Sequence, residues 1–211
     1  MTQDLIQAYA ELHTAPESPL LAQLTRETHL QTMLPRMSSG HVQGRFLSML
    51  SHLVRPRRVL EIGTFCGYAT LCLAEGLAAD GLLHTIEIDP EREARIRRYV
   101  AAAGLTARVR VHIGAALDVL AGLVDEEWDL VFIDADKRNN DAYFEAVIEQ
   151  VRPGGLLIVD NVLWSGKVLL AEAPDKDTLE INKFNLMINN DSRVEKLILP
   201  VRDGLLLIRK K

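Results

Sequence analysis

The sequence holds 211 residues, 48% hydrophobic and 25% charged, with 13 Gly and 8 Pro, the composition of one globular domain with a full hydrophobic core. Acidic residues (29) outnumber basic ones (24), for a net charge of −5. The basic residues gather only in short clusters, Arg55, Arg57 and Arg58 or Arg95, Arg97 and Arg98, which read as solvated helix ends, so a nucleic-acid partner is not expected.

The amino terminus, MTQDLIQAYAELH, has no basic stretch leading into an apolar run, and no apolar run approaches the roughly 18 residues that would span a membrane. A cytoplasmic protein with no signal peptide and no membrane contact is expected. Cys66 and Cys72 are the only cysteines; six apart within one turn-and-helix segment, they read as small buried hydrophobes rather than a disulfide or a zinc site.

The first fifty-odd residues read as helices. Leu5, Ile6, Tyr9 and Leu12 keep a helical period, as do Leu20, Leu21 and Leu24, and then Phe46, Leu47, Leu50, Leu53 and Val54. Between the last two groups, LPRMSSGHVQG (Leu34 to Gly44) reads as a loop; Met33, Leu34 and Met37 either line an acceptor pocket or pack the helices beside it, and packing is expected.

From residue 58 the pattern changes to five β-rich runs: RVLEIG, LLHTIEID, ARVRVHIG, WDLVFIDAD and GGLLIVDN. Helical segments over Tyr68–Leu77, Pro90–Ala103, Leu117–Leu123 and Asn140–Val151 alternate with them, which implies βαβ crossovers and a parallel sheet buried on both faces. A further helix around Asp177–Asn190 precedes VEKLILP and LLLIRK, and Asp203-Gly204 between these two marks an antiparallel hairpin. One domain is expected, with a helical extension over 1–56 ahead of the sheet-bearing core at 57–211.

In open α/β sheets ligands bind beyond the carboxyl ends of the strands, so the residues there carry the functional information. The first strand runs into EIGTFCGYAT, where Gly63 and Gly67 allow a sharp turn and close approach to a ligand at a helix amino terminus. The second ends in TIEIDP, placing Glu87 where an acid can bind ribose hydroxyls. Together they predict a nucleoside-type cofactor site.

These stretches resemble the class I S-adenosylmethionine-dependent methyltransferases. The resemblance implies a doubly wound, Rossmann-like, mostly parallel seven-stranded sheet. It further implies that Glu87 holds the ribose, that Gly63 and Thr64 lie near the methionyl part beside Gly67, and that Glu61 holds its ammonium. Ala116, in IGAAL, takes the position of an adenine contact.

FIDADK (Phe132 to Lys137) and LLIVDN (Leu156 to Asn161) are the fourth and fifth strand ends. On adjacent strands they bring Asp134, Asp160 and Asn161 into one crevice. Two carboxylates and an amide oxygen are hard donors suited to Mg²⁺, Mn²⁺ or Ca²⁺. DADK followed by RPGGLLIVDNVLWSG resembles the caffeoyl-CoA and catechol O-methyltransferase family, from about Met37 to the carboxyl terminus. That resemblance implies Asp134, Asp160 and Asn161 as metal ligands, with Asp134 also beside the cofactor. Lys137 matches the catalytic lysine and Ser39 a cofactor contact. Ala69 stands where relatives often carry a hydroxyl, with Thr70 or the backbone left to compensate. A catechol-like phenolic acceptor and a homodimer are also implied.

Asp136 is left between helix cap, Lys137 partner and outer metal shell, and Trp164 between acceptor stacking and a half-buried loop residue. His41, close to the cofactor loop, has no assigned partner. Acceptor choice is expected to reside at the amino terminus and in KVLLAEAPDKDTLEI. The rival readings are a nicotinamide-dependent oxidoreductase, which the absent G-x-G-x-x-G opposes, and a non-catalytic nucleoside-binding protein, which the complete Asp134, Lys137, Asp160 and Asn161 set opposes.

Overall fold

The computed structural model describes residues 3–170 and 175–211. Three helices come first: α1 (Gln3–Leu12), α2 (Pro19–Gln31) and α3 (Gly40–Val54). The Ser18 hydroxyl accepts from Leu21 N at 3.3 Å and Pro19 opens α2, so both residue types sit where helix starts favour them. The apolar positions of α1 keep their helical period yet stay exposed, Leu12 at 80%.

The loop expected over Leu34–Gly44 ends early, because residues 40–44 belong to α3. Gly44 serves packing, not turning: a Cβ there would stand 2.4 Å from the Tyr68 ring. Met33, Leu34 and Met37 do not pack the helices as expected; all three are exposed, Met33 at 99%.

Strands β1 (Arg58–Ile62), β2 (Leu82–Glu87), β3 (Val109–Ile113), β4 (Trp128–Ile133) and β5 (Val151–Asp160) alternate with helices α4 (Tyr68–Ala74), α5 (Glu93–Ala102), α6 (Ala116–Leu120) and α7 (Asn140–Ile148). Helix α8 (Lys176–Asn190) then leads to β6 (Val194–Leu199) and β7 (Leu205–Lys210). Val151, expected to close a helix, instead opens β5 opposite Trp128.

Among the described residues the sheet has seven strands in the order β3-β2-β1-β4-β5-β7-β6, with β7 antiparallel to both neighbours. The Asp203-Gly204 signal is realised, since Gly204 has φ +88° in the turn between β6 and β7. The strand order reverses between β1 and β4, and this is where doubly wound sheets open a crevice.

Alternation along each strand feeds two cores. Val59, Leu83 and Leu130 face Leu24, Leu47, Leu73 and Ile96 on one side. Leu60, Val131 and Leu157 face Phe144, Ile148, Phe184 and Ile188 on the other. Ion-paired members of the Arg clusters are not the helix ends expected: Arg58, at the start of β1, pairs with Glu126, and Arg97 and Arg98, within α5, pair with Glu93 and Glu27. Cys66 and Cys72 are buried and unbonded. No helix among the described residues is long and apolar enough to cross a membrane.

The tightest helix contact lies just after α4, where a Cβ on Gly76 would fall 2.2 Å from the Ser51 carbonyl carbon and 2.3 Å from His52 N. The obstacle is backbone, which cannot rotate away. Gly76→Ala should therefore destabilise the protein by about 3 kcal/mol, read as a lowered urea midpoint with an unchanged slope.

Candidate active site

The strand register builds the site. Ile62 pairs with Ile86 and Ile133, and Ile133 with Val159. One residue further along, Gly63, Glu87, Asp134 and Asp160 therefore stand side by side at the carboxyl edge of the sheet.

At Gly63 the chain leaves β1 with φ +99°, and a Cβ would come within 2.2 Å of the Asp134 carbonyl oxygen. Gly67, with φ +90°, opens α4 in the left-handed region. Glycine is required at the first by contact as well as by φ, and at the second by φ. Ser39, Gly63, Thr64, Ala69 and Asp134 line one small cleft, with Met37 at its side. Glu61 lies beneath it. Glu87 and Ala116 sit beyond it, at the ends of β2 and at the start of α6.

Glu61 is fully buried. Its Oε2 accepts from the Thr70 hydroxyl and, at 2.6 Å, from Thr85; its Oε1 finds no partner among the described residues. Burial pushes this carboxyl up to about 8, against the pull of the two hydroxyls and with help from the Asp134 and Glu87 charges. Thr70 is thus committed to Glu61, which leaves the backbone as the remaining substitute for the hydroxyl missing at Ala69.

Glu87 is nearly buried and braces the loop above it. Its Oε2 accepts from Phe65 N at 2.7 Å, and its Oε1 accepts from Asp89 N at 3.0 Å and from Arg92 at 3.3 Å. Oε1 thus carries two donors and Oε2 one, which leaves a single acceptor position on Oε2.

On the other side of the switch point Lys137 donates to Asp134 Oδ1 at 2.9 Å, its side chain only 9% exposed. Asp160 accepts from Asn161 N on Oδ1 at 2.7 Å and from Gln43 Nε2 on Oδ2 at 2.6 Å. Burial raises the Asp160 carboxyl to about 6 and the neighbouring Asp134 charge adds to this, while Lys137 and Gln43 oppose it. Asn161 turns off the strand with φ +63°. No group of three or more His, Cys, Asp or Glu side chains fit to hold a metal occurs among the described residues; Asp134 and Asp160 are the two carboxylates that the adjacent strand ends bring together.

Asp136 accepts from Tyr143 and from Asn139, the latter at 2.6 Å, and pairs with neither Lys137 nor a backbone cap. His41 Nε2 meets the Ala15 carbonyl at 2.7 Å. Trp164 is half-buried with φ +46°, its indole Nε1 buried without a partner among the described residues, and Lys167 Nζ lies 6.0 Å from the ring centroid. Of the segment expected to select the acceptor, residues 171–174 lie outside the described residues.

Sequence reasoning missed Gln43, which reaches the strand end from α3. It also missed Arg202, whose guanidinium holds the Arg36, Ser38 and Ser39 carbonyls of the loop beside the cleft. Neither residue carries a local signal, because each acts across more than a hundred residues of chain.

The O-methyltransferase family model matches residues 11–211. A catechol O-methyltransferase from Niastella koreensis is 37% identical over 169 residues, covering 79% of this chain and 76% of its own. Caffeoyl-CoA O-methyltransferase 1 from Zea mays is 33% identical over 220 residues, covering 99% and 85%. The O-methyltransferase TomG from Streptomyces achromogenes, solved with S-adenosylmethionine, superposes with a TM-score of 0.91 at 31% identity, over 100% of this chain and 99% of its own. With its glycine turn, buried Glu61 and paired strand-end acids in one crevice, this chain belongs to the O-methyltransferase family.

Proposed function

We propose that this S-adenosylmethionine-dependent O-methyltransferase methylates one hydroxyl of a catechol-like small molecule with the help of a divalent cation, Mg²⁺ in the first instance. The observation that carries the reading is the meeting of Asp134, Lys137 and Asp160 at adjacent strand ends, beside a buried Glu61 oxygen that lacks a donor. The names of the Niastella koreensis and Zea mays relatives support a phenolic acceptor.

The cofactor fits on the chain's own terms. Glu61 Oε1 offers a buried acceptor where an amino-acid ammonium would complete its hydrogen bonding. Ser39, Gly63, Thr64 and Ala69 line the cleft and Gly67 turns the chain into α4; Glu87 would hold the ribose and Ala116 would lie at the adenine. A divalent cation fits too, since the Asp134, Asp160 and Asn161 oxygens form a hard donor set whose crowded negative charge it would offset. When bound, such a cation acidifies a hydroxyl and orients it.

The side chains then divide the work. Asp134 holds Lys137 at the crevice, where Lys137 Nζ is the group that would receive the proton of the hydroxyl to be methylated. S-adenosylmethionine, when bound, would supply the methyl group, its C–S bond breaking toward sulfur as the C–O bond forms, with the hydroxyl proton ending on Lys137. Alignment of oxygen, methyl and sulfur is the main service of the cleft walls. In this reading Trp164 would lie against an aromatic acceptor. Exposed Leu197 and Ile198 on the edge strand β6 are consistent with coverage by a second copy in a homodimer.

The O-methyltransferase family match supports neither an oxidoreductase nor a binding-only protein. The test is S-adenosylhomocysteine formation from a panel of catechols with Mg²⁺ or with chelator. Catechol-dependent turnover should vanish with chelator and return with Mg²⁺; turnover indifferent to chelation would remove the cation from the reading while leaving the methyltransferase.

A further inference from the structure

Gln43 is fully buried, 0% exposed, in the first turns of α3, and it is joined to Asp160 by a side-chain hydrogen bond across 117 positions of sequence. Burying a primary amide without satisfying both ends is unfavourable. Here Nε2 donates to Asp160 Oδ2 at 2.6 Å, while Oε1 is buried with no partner among the described residues. The arrangement keeps the donor and leaves the acceptor idle, the reverse of what a packing residue needs. A methionine or leucine would fill similar volume with no orphaned oxygen.

The amide also completes a frame around Asp160. Its Oδ1 is held by Asn161 N at 2.7 Å and its Oδ2 by Gln43. Two neutral donors, one on each oxygen, restrict the rotation of the carboxylate and leave one acceptor position on each oxygen. Neither donor cancels the charge, as an arginine or lysine in the same place would. Ser39, on the cofactor cleft wall, immediately precedes the same helix, so the start of α3 borders both halves of the site.

We propose that Gln43 is a positioning residue for the metal site, holding Asp160 in the orientation in which it binds a divalent cation. The inference rests on the metal reading of Asp134, Asp160 and Asn161. Partners that orient ligating side chains are typically worth about 10- to 100-fold in metal affinity, and an effect of that size is expected here.

The experiment is direct Mn²⁺ binding to the purified full chain, by calorimetry or by the loss of free-Mn²⁺ paramagnetic signal. Wild type, Gln43→Met and Gln43→Ala are compared, with S-adenosylhomocysteine affinity and thermal midpoint measured on each. Methionine keeps the volume and removes the donor, whereas alanine removes both but leaves room for a water that can donate to Asp160. Positioning predicts that Gln43→Met loses about tenfold or more in Mn²⁺ affinity, with S-adenosylhomocysteine affinity within about twofold of wild type, and that Gln43→Ala falls between the two. A packing role predicts the opposite order, alanine worse than methionine and in step with the thermal midpoint, and that result would overturn the proposal. So would undiminished Mn²⁺ binding by Gln43→Met. Absence of Mn²⁺ binding by the wild type would sink the metal reading itself and the role of Gln43 with it, and is told apart from the other outcomes by being visible before any variant is made.

Discussion

Asp160→Asn is expected to lower kcat/KM by about 10³-fold, a loss of about 4 kcal/mol of transition-state stabilisation. The carboxylate is 3% exposed at the end of β5, held on both oxygens, and stands beside the Asp134 charge. A chain that gathers two carboxylates at adjacent strand ends, with one lysine to offset them, is electrostatically unfavourable unless something more positive joins them. The asparagine is close in volume, so the fold should survive, and S-adenosylhomocysteine should bind within about threefold of wild type because Glu61 and Glu87 are untouched. Raising Mg²⁺ should not restore the rate, since a charge has been removed and not merely misplaced. Measured with a catechol acceptor at several Mg²⁺ concentrations, a variant that keeps more than about a tenth of wild-type kcat/KM would show that Asp160 is not a ligand on which catalysis depends.

Much of this site was legible because the parallel sheet makes its strand ends local in sequence. FIDAD and IVDN each announce a buried strand by continuous apolar residues and then stop on an acid, TIEID ends a more mixed strand on Glu87, and the pairing register does the rest by placing Glu87, Asp134 and Asp160 in one row. Gly63 was equally readable, and its reason proved stronger than a turn preference, because the Asp134 backbone leaves no room for a Cβ. What escaped was whatever depends on a third element. Gln43 lay inside a stretch whose serines and glycines imitate a loop, although Gly44 is there to admit Tyr68 and the helix has already begun. Thr70 looked like a substitute for a missing cofactor contact. Its hydroxyl turns instead to the buried Glu61 carboxylate, a competition that only the packed geometry reveals. Asp136 was ambiguous for the same reason, its two acceptors being claimed by Tyr143 and Asn139 once the chain folds back into α7.

The second large effect concerns Glu61 and pH. In the ligand-free protein burial holds this carboxyl at about 8, above its ordinary 4.5. The native chain therefore binds a proton there that the unfolded chain releases, and the stability this contributes is complete below about 4.5 and lost as pH rises through about 8. An amino-acid ammonium on Oε1 requires the carboxylate. Between pH 6 and 8, as set by the raised value of about 8, affinity for S-adenosylhomocysteine should thus rise by up to about tenfold per pH unit, with close to one proton released per ligand bound at pH 7. Calorimetry in two buffers of different ionisation enthalpy reads that proton directly. Glu61→Gln should weaken binding by about 100-fold, abolish the proton release and flatten the pH profile. The same substitution should make the ligand-free protein more resistant to urea than wild type at about pH 9, because a neutral amide replaces a carboxylate ionised against its surroundings. Loss of binding joined to a gain in alkaline stability is the signature of a buried group held ready for a positive ligand; a packing defect would lower both. Wild-type affinity that stays level from pH 6 to 8, together with unimpaired binding by Glu61→Gln, would remove Glu61 from the cofactor site.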